Sequence, residues 1–319
     1  MSYSNRWKIE LDDTIFEVGR YAGSWRGQLA DKRLMLAFPH PDDESFGPGG
    51  TIAKYAREGA EVHYVCATRG EVGTVDAALI KPYEHLPADQ RLGALRGQEL
   101  RAAADVLNLT GLHYLGYRDS GMTGSADNRD PRAFVNANPI EATGRLVKLI
   151  REIRPQVIVT FDPFGGYGHP DHIFIHHRTH EAFKAAGDPA QYPEAGEPYQ
   201  PQKLYWSVFP RGLLKFFVRV LPLFGRDPTK FGRNGDINLR EITEHDYPPT
   251  TRIDVWPYYE IKQAASKCHT SQLDGGPGMF DRFPRFIQRR LSGYETFRRV
   301  EPAADGQRLK EQELFEDVI

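Results

Sequence analysis

The sequence predicts an α/β fold, a largely parallel sheet covered on both faces by helices. Three observations carry this. Short apolar runs alternate with helix-compatible segments through the first half of the chain. Those runs are apolar throughout, as strands buried on both faces are. The chain of 319 residues, 40% hydrophobic and 26% charged, is ordinary for a folded protein, which excludes disordered, collagenous and coiled-coil readings. Its length corresponds to about two average domains or one large α/β domain.

The elements follow in order. Residues 34–38 (LMLAF) form a short apolar run stopped by Pro39, the signature of a buried strand that ends abruptly. After a glycine-rich turn, 51–59 (TIAKYAREG) suits a helix with a glycine stop, and 62–68 (VHYVCAT) suits a second strand. A long helix is expected over 89–108, a short strand at 112–115, a helix over 140–153 and a strand at 157–161 (VIVTF). Ligands of such sheets bind beyond the carboxyl ends of the strands, so chemistry is expected just after Phe38 and just after Phe161.

The Pro- and Gly-rich stretch 187–201 reads as a loop leading to a strand at 203–209. In 211–221 (RGLLKFFVRVL), Arg211, Lys215 and Arg219 recur at every fourth position between Pro210 and Pro222, an amphipathic helix signature. A helix packed on the body with a solvated basic face is the simplest reading. A lid, a homo-oligomer contact or a peripheral membrane contact through 210–222 remain open. The polar tail after Glu301 is expected to be a surface extension.

With 41 Lys and Arg against 43 Asp and Glu, the net charge of -2 leaves no global positive field for a polyanion, so nucleic acid is not expected as a partner. Two cysteines make no disulfide framework, residues 1–13 contain no apolar leader, and no run reaches the roughly 18 apolar residues of a membrane span. The expectation is a cytoplasmic protein with free thiols. Cys66 falls in a strand, and Cys268, although beside His269, has no evident base to make it a nucleophile.

Both strand ends where chemistry is expected carry metal-ligand residue types: His40-Pro41-Asp42-Asp43-Glu44 after the first, His169-Pro170-Asp171-His172 after the other. Imidazole and carboxylate suit zinc, and a catalytic site needs three protein ligands and one open position. Adjacent Asp residues cannot point the same way, so one can bind metal while the other faces water. Prolines 39, 41 and 170 stiffen the loops.

The strings AFPHPDDESFGPGG and GGYGHPDH resemble the LmbE-like (PIG-L) family of zinc-dependent N-deacetylases, which includes N-acetylglucosaminyl-phosphatidylinositol deacetylases and the mycothiol and bacillithiol pathway enzymes. RGQE at 96–99, YRDSGM at 117–122 and KCHTSQ at 267–272 also resemble family blocks, in family order, and YRDSGM is most similar to the mycothiol-type branch. The resemblance implies a Rossmann-like three-layer sandwich with a mostly parallel sheet plus a C-terminal extension. It implies one domain over 1–319, with 30–186 as the core holding the metal and 187–300 as a loop-rich part shaping the pocket.

The resemblance further implies His40, Asp43 and His172 as zinc ligands, Fe(II) being compatible with the same set, and Asp42 as the general base. Tyr167 and His169 are the implied donors to the oxyanion. His169, with Asp171 as its orienting partner, is the expected acid for the departing amine, and return of the proton by Asp42 is the alternative. Arg96 and Asp119 match sugar-contacting positions, a structural salt bridge being their alternative reading. His269 and Gln272 are expected to brace the site, and Glu44 to support the loop from behind it.

His172, His176 and His180 have i, i+4 spacing, but without a companion carboxylate pattern His176, His177 and His180 are expected at the surface or an interface. Gly47, Gly49 and Gly50 fail the dinucleotide fingerprint at Ile52, although the following helix N-terminus remains a place for an anion or product carboxylate. The expected function is metal-dependent hydrolysis of an N-acyl group, acetyl above all, from an N-acetylglucosamine-type sugar conjugate. The alternatives are an amidase for a larger thiol or glycan conjugate and a catalytically silent carbohydrate- or lipid-binding protein. Two-metal phosphoester hydrolysis needs more carboxylates than the two clusters offer.

Overall fold

A computed structural model of the chain describes residues 16–17, 29–209, 211–231, 235, 237–273, 284–304 and 310–319. The reading of residues 1–13 and the boundary at Pro210 lie outside them. The strands are β1 (Phe16–Glu17), β2 (Arg33–Phe38), β3 (Glu61–Thr68), β4 (Gly111–Tyr117), β5 (Val157–Phe161), β6 (Lys203–Ser207), β7 (Thr251–Asp254) and β8 (Tyr294–Glu301). They form one sheet of order β1-β4-β3-β2-β5-β6-β8-β7. The five strands from β4 to β6 run parallel, while β1, β7 and β8 pair antiparallel at the edges.

From β2 the chain steps outward to β3 and β4, then returns past them to β5 and β6 on the other side. The labelled helices are α1 (Asp43–Phe46), α2 (Gly49–Arg57), α3 (Arg91–Leu107), α4 (Pro139–Ile153), α5 (Pro170–Ala185), α6 (Gly212–Val220) and α7 (Tyr259–Cys268). Right-handed crossovers in opposite directions place α2 and α3 on one face and α4 and α5 on the other. Correspondingly, α7 packs with α2 and α3, and α4 packs with α5. That is the three-layer sandwich expected from the sequence. Because helices cover both faces, every residue of Leu34 to Phe38 is buried and β5 is buried throughout, with no polar alternation.

Local chemistry sets the helix ends that matter. The Asn138 side chain accepts the Ile140 N–H at the start of α4, with Pro139 in the first turn. The start of α5 uses His169 in the same way, its side chain accepting the Asp171 N–H ahead of Pro170. No helix among the described residues is long and apolar enough to cross a membrane.

The 187–300 stretch supplies the strand expected at 203–209, found as β6 (Lys203–Ser207), and two more that extend the sheet antiparallel beyond it. One expectation about the C-terminal part is corrected. The tail after Glu301 is not a surface extension: Leu314 is wholly buried, Phe315 packs edge-on against Tyr55, and the Leu314 N–H donates to the Tyr55 hydroxyl. Buried Glu311 accepts from Tyr205 and Thr251 and pairs with Lys203 and Arg299. A polar-looking segment is thus drawn inward because its few apolar side chains and one carboxylate complete a core and a charge network.

Candidate active site

The two ligand-rich loops meet at the point where the strand order reverses, between β2 and β5, the usual ligand crevice of open α/β sheets. The loop after β2 is held by its carbonyls: Tyr64 O–H donates to His40 O at 2.8 Å and Thr68 O–H to Pro39 O at 2.9 Å. Asp42 then adopts φ 117°, a strained conformation for a residue with a side chain, fixed by its N–H donating to Glu44 Oε2 at 2.9 Å. This turn separates the adjacent carboxylates. Asp43 faces the two histidines, while Asp42 faces Arg96.

His40 Nδ1 lies 3.1 Å from His172 Nε2 and 3.8 Å from Asp43 Oδ2, and His172 Nε2 lies 3.7 Å from Asp43 Oδ1. Ligand atoms on a tetrahedral zinc ion stand about 3.3 Å apart, given bonds of about 2.0–2.1 Å. The two imidazole nitrogens stand at about that spacing, and Asp43 approaches each of them with a different carboxylate oxygen. The remaining ring nitrogens are held as metal-binding histidines require: His172 Nδ1 donates to Gly165 O at 3.0 Å, and His40 Nε2 meets Asp171 Oδ2 at 3.2 Å. His40, His169 and His172 also gather, as do His40, Asp119, His169 and Asp171. In the latter group Asp171 is engaged by the Ser120 N–H and O–H, which marks it as a brace for His40.

Burial and mutual contact set the electrostatics of this cluster. Burial pushes the Asp43 carboxyl up despite the charge of His40. His40, although burial opposes its charging, is raised by Asp119, Asp171 and Asp43. His172 is held well below the ordinary imidazole value by burial and by His40. A neutral imidazole such as that of His172 is the form that can coordinate a metal.

Around this centre, Asp42 Oδ2 accepts from Arg96 Nη2 at 3.1 Å, and Arg96 also donates to Pro41 O at 2.6 Å and Gly70 O at 3.0 Å. Burial raises the Asp42 carboxyl, partly offset by Arg96. His169 is lowered to about 4, by burial first and then by His40, and is neutral at neutral pH. Its Nδ1 accepts the Asp171 N–H at 3.2 Å, which leaves its proton on Nε2. Tyr167 is raised well above its ordinary value by burial and then by Asp43, so it stays protonated, with its ring 4.9 Å from that of His172.

Other sequence expectations are corrected by this geometry. The carboxylate of Asp171 orients His40 and not His169, because Ser120 and His40 take both its oxygens while only its backbone N–H reaches His169. Arg96 and Asp119 border the same centre in a way compatible with either expected role: Arg96 donates to Asp42 and two carbonyls, and Asp119 lies within 3.5 Å of His40 Nε2 while accepting the Gly121 N–H at 2.8 Å. His176 is not at the surface; it is buried and paired with Phe161 O at 2.8 Å. His177 is exposed, and His180 accepts from Trp206 Nε1 at 2.7 Å. No anion site opens at the start of α2, because both Glu295 oxygens already accept the Gly50 and Thr51 N–H groups at 2.9 and 2.7 Å.

His269 does brace the site: it meets Glu44 Oε1 at 2.6 Å, and Glu44 in turn holds the Asp42 N–H. Gln272 adds a hydrogen bond to Ser271 at 2.9 Å. The reading of the sequence missed Glu99, which gathers Thr270 and Ser271 at 2.6 to 2.7 Å, and Ser120, which anchors Asp171. Both lie in the RGQE and YRDSGM blocks, the only signal that could have found them.

Comparison with known proteins gives the chain its relatives. The family model described as PIG-L, GlcNAc-PI de-N-acetylase, matches residues 35–183. The 1D-myo-inositol 2-acetamido-2-deoxy-alpha-D-glucopyranoside deacetylase of Rhodococcus jostii (strain RHA1) is 41% identical over 255 residues, covering 78% of this chain and 84% of that protein. The enzyme of the same name from Streptomyces scabiei (strain 87.22) is 40% identical over 299 residues, 90% of each. Among solved structures, the N,N'-diacetylchitobiose deacetylase from Pyrococcus horikoshii aligns with TM-score 0.56 and 23% identity over 84% of this chain and 83% of that one. The 4-carboxy-2-hydroxymuconate hydratase from Pseudomonas putida KT2440 aligns with TM-score 0.54 and 20% identity over 84% and 96%. A hydratase and a deacetylase sharing the architecture shows that the fold alone does not choose the reaction.

Proposed function

The chain belongs to the PIG-L, GlcNAc-PI de-N-acetylase family, and from that premise we propose that it is a zinc-dependent deacetylase of an N-acetylglucosaminyl-inositol. It is a metal-dependent hydrolase of the amide bond in an N-acetylglucosamine conjugate. The inositol is inferred from what the relatives at about 40% identity act on. Zinc is inferred from a donor set of two imidazoles and one carboxylate. The observation that carries the reading is the meeting of His40 Nδ1, Asp43 and His172 Nε2 at 3.1 to 3.8 Å beside Asp42.

His40, Asp43 and His172 would hold the ion, which supplies a Lewis acid and makes water acidic near neutral pH. Asp42, made more basic by burial and steadied by Arg96, takes the proton of the attacking water. Tyr167 O–H and His169 Nε2–H donate to the carbonyl oxygen as it gains negative charge. The amine must be protonated to depart. Asp42, having taken the proton of the water, is positioned to return it to the amine, while Asp171, Asp119, Glu44 and His269 keep the ligand and base side chains in place.

The test is free-amine release from N-acetylglucosaminyl-inositol, set beside a thiol conjugate and N,N'-diacetylchitobiose. Asp42→Ala is expected to keep stoichiometric metal and lose about 10²–10⁴ in turnover; His172→Ala is expected to lose the metal. Undiminished metal in His172→Ala removes that ligand, and absence of amine from every N-acetylated sugar overturns the activity.

A further inference from the structure

The segment 209–226 has a composition that the hydrolase does not use, and residues 211–226 place it on the surface. Its sequence, FPRGLLKFFVRVLPLFGR, contains four basic residues and no acidic one. Leu214, Val218 and Leu221 turn inward onto Phe164, Leu239 and Ile242. On the opposite side Phe216, Phe217, Leu223 and Phe224 are exposed by 58, 46, 81 and 77%. Residues 216 and 217 recur seven positions on at 223 and 224, so α6 and the turn Leu221–Phe224 carry these side chains on one continuous face. Arg219 on the helix and Arg226 just beyond the turn are both exposed beside it. Lys215 is instead paired with Asp246 at 2.8 Å.

An exposed apolar face flanked by Arg219 and Arg226, with the neighbouring acids Asp246 and Asp227 engaged by Lys215 and Thr229, fits one environment better than water: the boundary between acyl chains and anionic headgroups. We propose that α6 and its following turn dock the protein on an anionic lipid bilayer. The helix lies flat, Phe216, Phe217, Leu223 and Phe224 enter the acyl boundary, and Arg219 and Arg226 meet the headgroups. The docked face adjoins the active-site loop. Arg211 at the start of α6 is 3.7 Å from Asp162, which holds the Phe164 N–H at 2.9 Å, and Tyr167 packs in the same apolar cluster as the inner face of α6.

The test is sedimentation of the full chain with phosphatidylcholine vesicles, with and without phosphatidylglycerol. The result expected is binding to the anionic vesicles at low salt, weakened by added salt and slight on phosphatidylcholine alone. Each cation near an anionic surface contributes about fivefold to binding, so Arg219→Gln with Arg226→Gln should weaken it about 25-fold. Phe216→Ser with Phe224→Ser should abolish it while deacetylation of a soluble substrate is retained, which separates failure of docking from failure of folding or of the catalytic reading. Protein that stays in the supernatant at low salt overturns the proposal. So does a dimer in sedimentation equilibrium that the serine variant dissociates, which would make a second copy the occupant of this face.

Discussion

Replacing Arg96 by Gln separates two roles that the sequence leaves open for it. The guanidinium is buried and 3.1 Å from the Asp42 carboxylate, which is partly buried. At that distance, with an effective dielectric constant of about 20, the attraction is about 5 kcal/mol before neighbouring charges are counted. Relaxation and the hydrogen bond an amide retains reduce the loss to about 1.5–3 kcal/mol. At about 1.36 kcal/mol per pH unit this is a shift of about one to two units. The sign follows from the roles: Asp42 acts in its ionised form, Arg96 favours that form, and its removal makes the carboxylate hold its proton to higher pH. The acidic limb of the kcat/KM profile, followed by amine release, should move toward alkaline pH by that amount, with thermal melting used to check folding. An unmoved limb with a raised KM refutes the reasoning and returns Arg96 to direct sugar contact.

Gly165 has φ 64°, and a β-carbon there would stand 2.5 Å from His172 Cβ and 2.9 Å from Ile173 N; Gly165→Ala should displace His172 and lower metal content, measured by elemental analysis, and full occupancy would show that the loop yields freely. His63 and His113 face each other at 3.2 Å, held by burial at about 4 and about 3. Their unfolded forms gain protons below about pH 6.5 while the folded rings stay neutral, so stability is lost as pH falls, by about 2 kcal/mol per ring at pH 5. Urea unfolding at several pH values should show a shallower acid loss in His63→Leu with His113→Leu, and an unchanged slope would contradict this. Leu314→Ala should cost about 2–5 kcal/mol in the same assay, because Leu314 is wholly buried; a change within about 0.5 kcal/mol would mean the tail is not part of the core.

The sequence by itself determined the central strands and the place of the chemistry. LMLAF and VIVTF are apolar without alternation because helices must cover both faces, and each ends beside a cluster of histidine and carboxylate. Local motifs carry that information because proximity along the chain puts the ligands at strand ends. The tertiary structure alone decided what each polar side chain faces. The turn at Asp42 sends it to Arg96 and Asp43 to the histidines, Ser120 turns Asp171 toward His40, and Glu295 fills the α2 N-terminus from 245 residues away in sequence. The antiparallel edge strands and the inward tail escaped the sequence for the same reason. Their polar side chains are satisfied by distant partners, as Glu311 is by Lys203, Tyr205 and Arg299, and no local pattern records a pairing made only when the chain closes on itself.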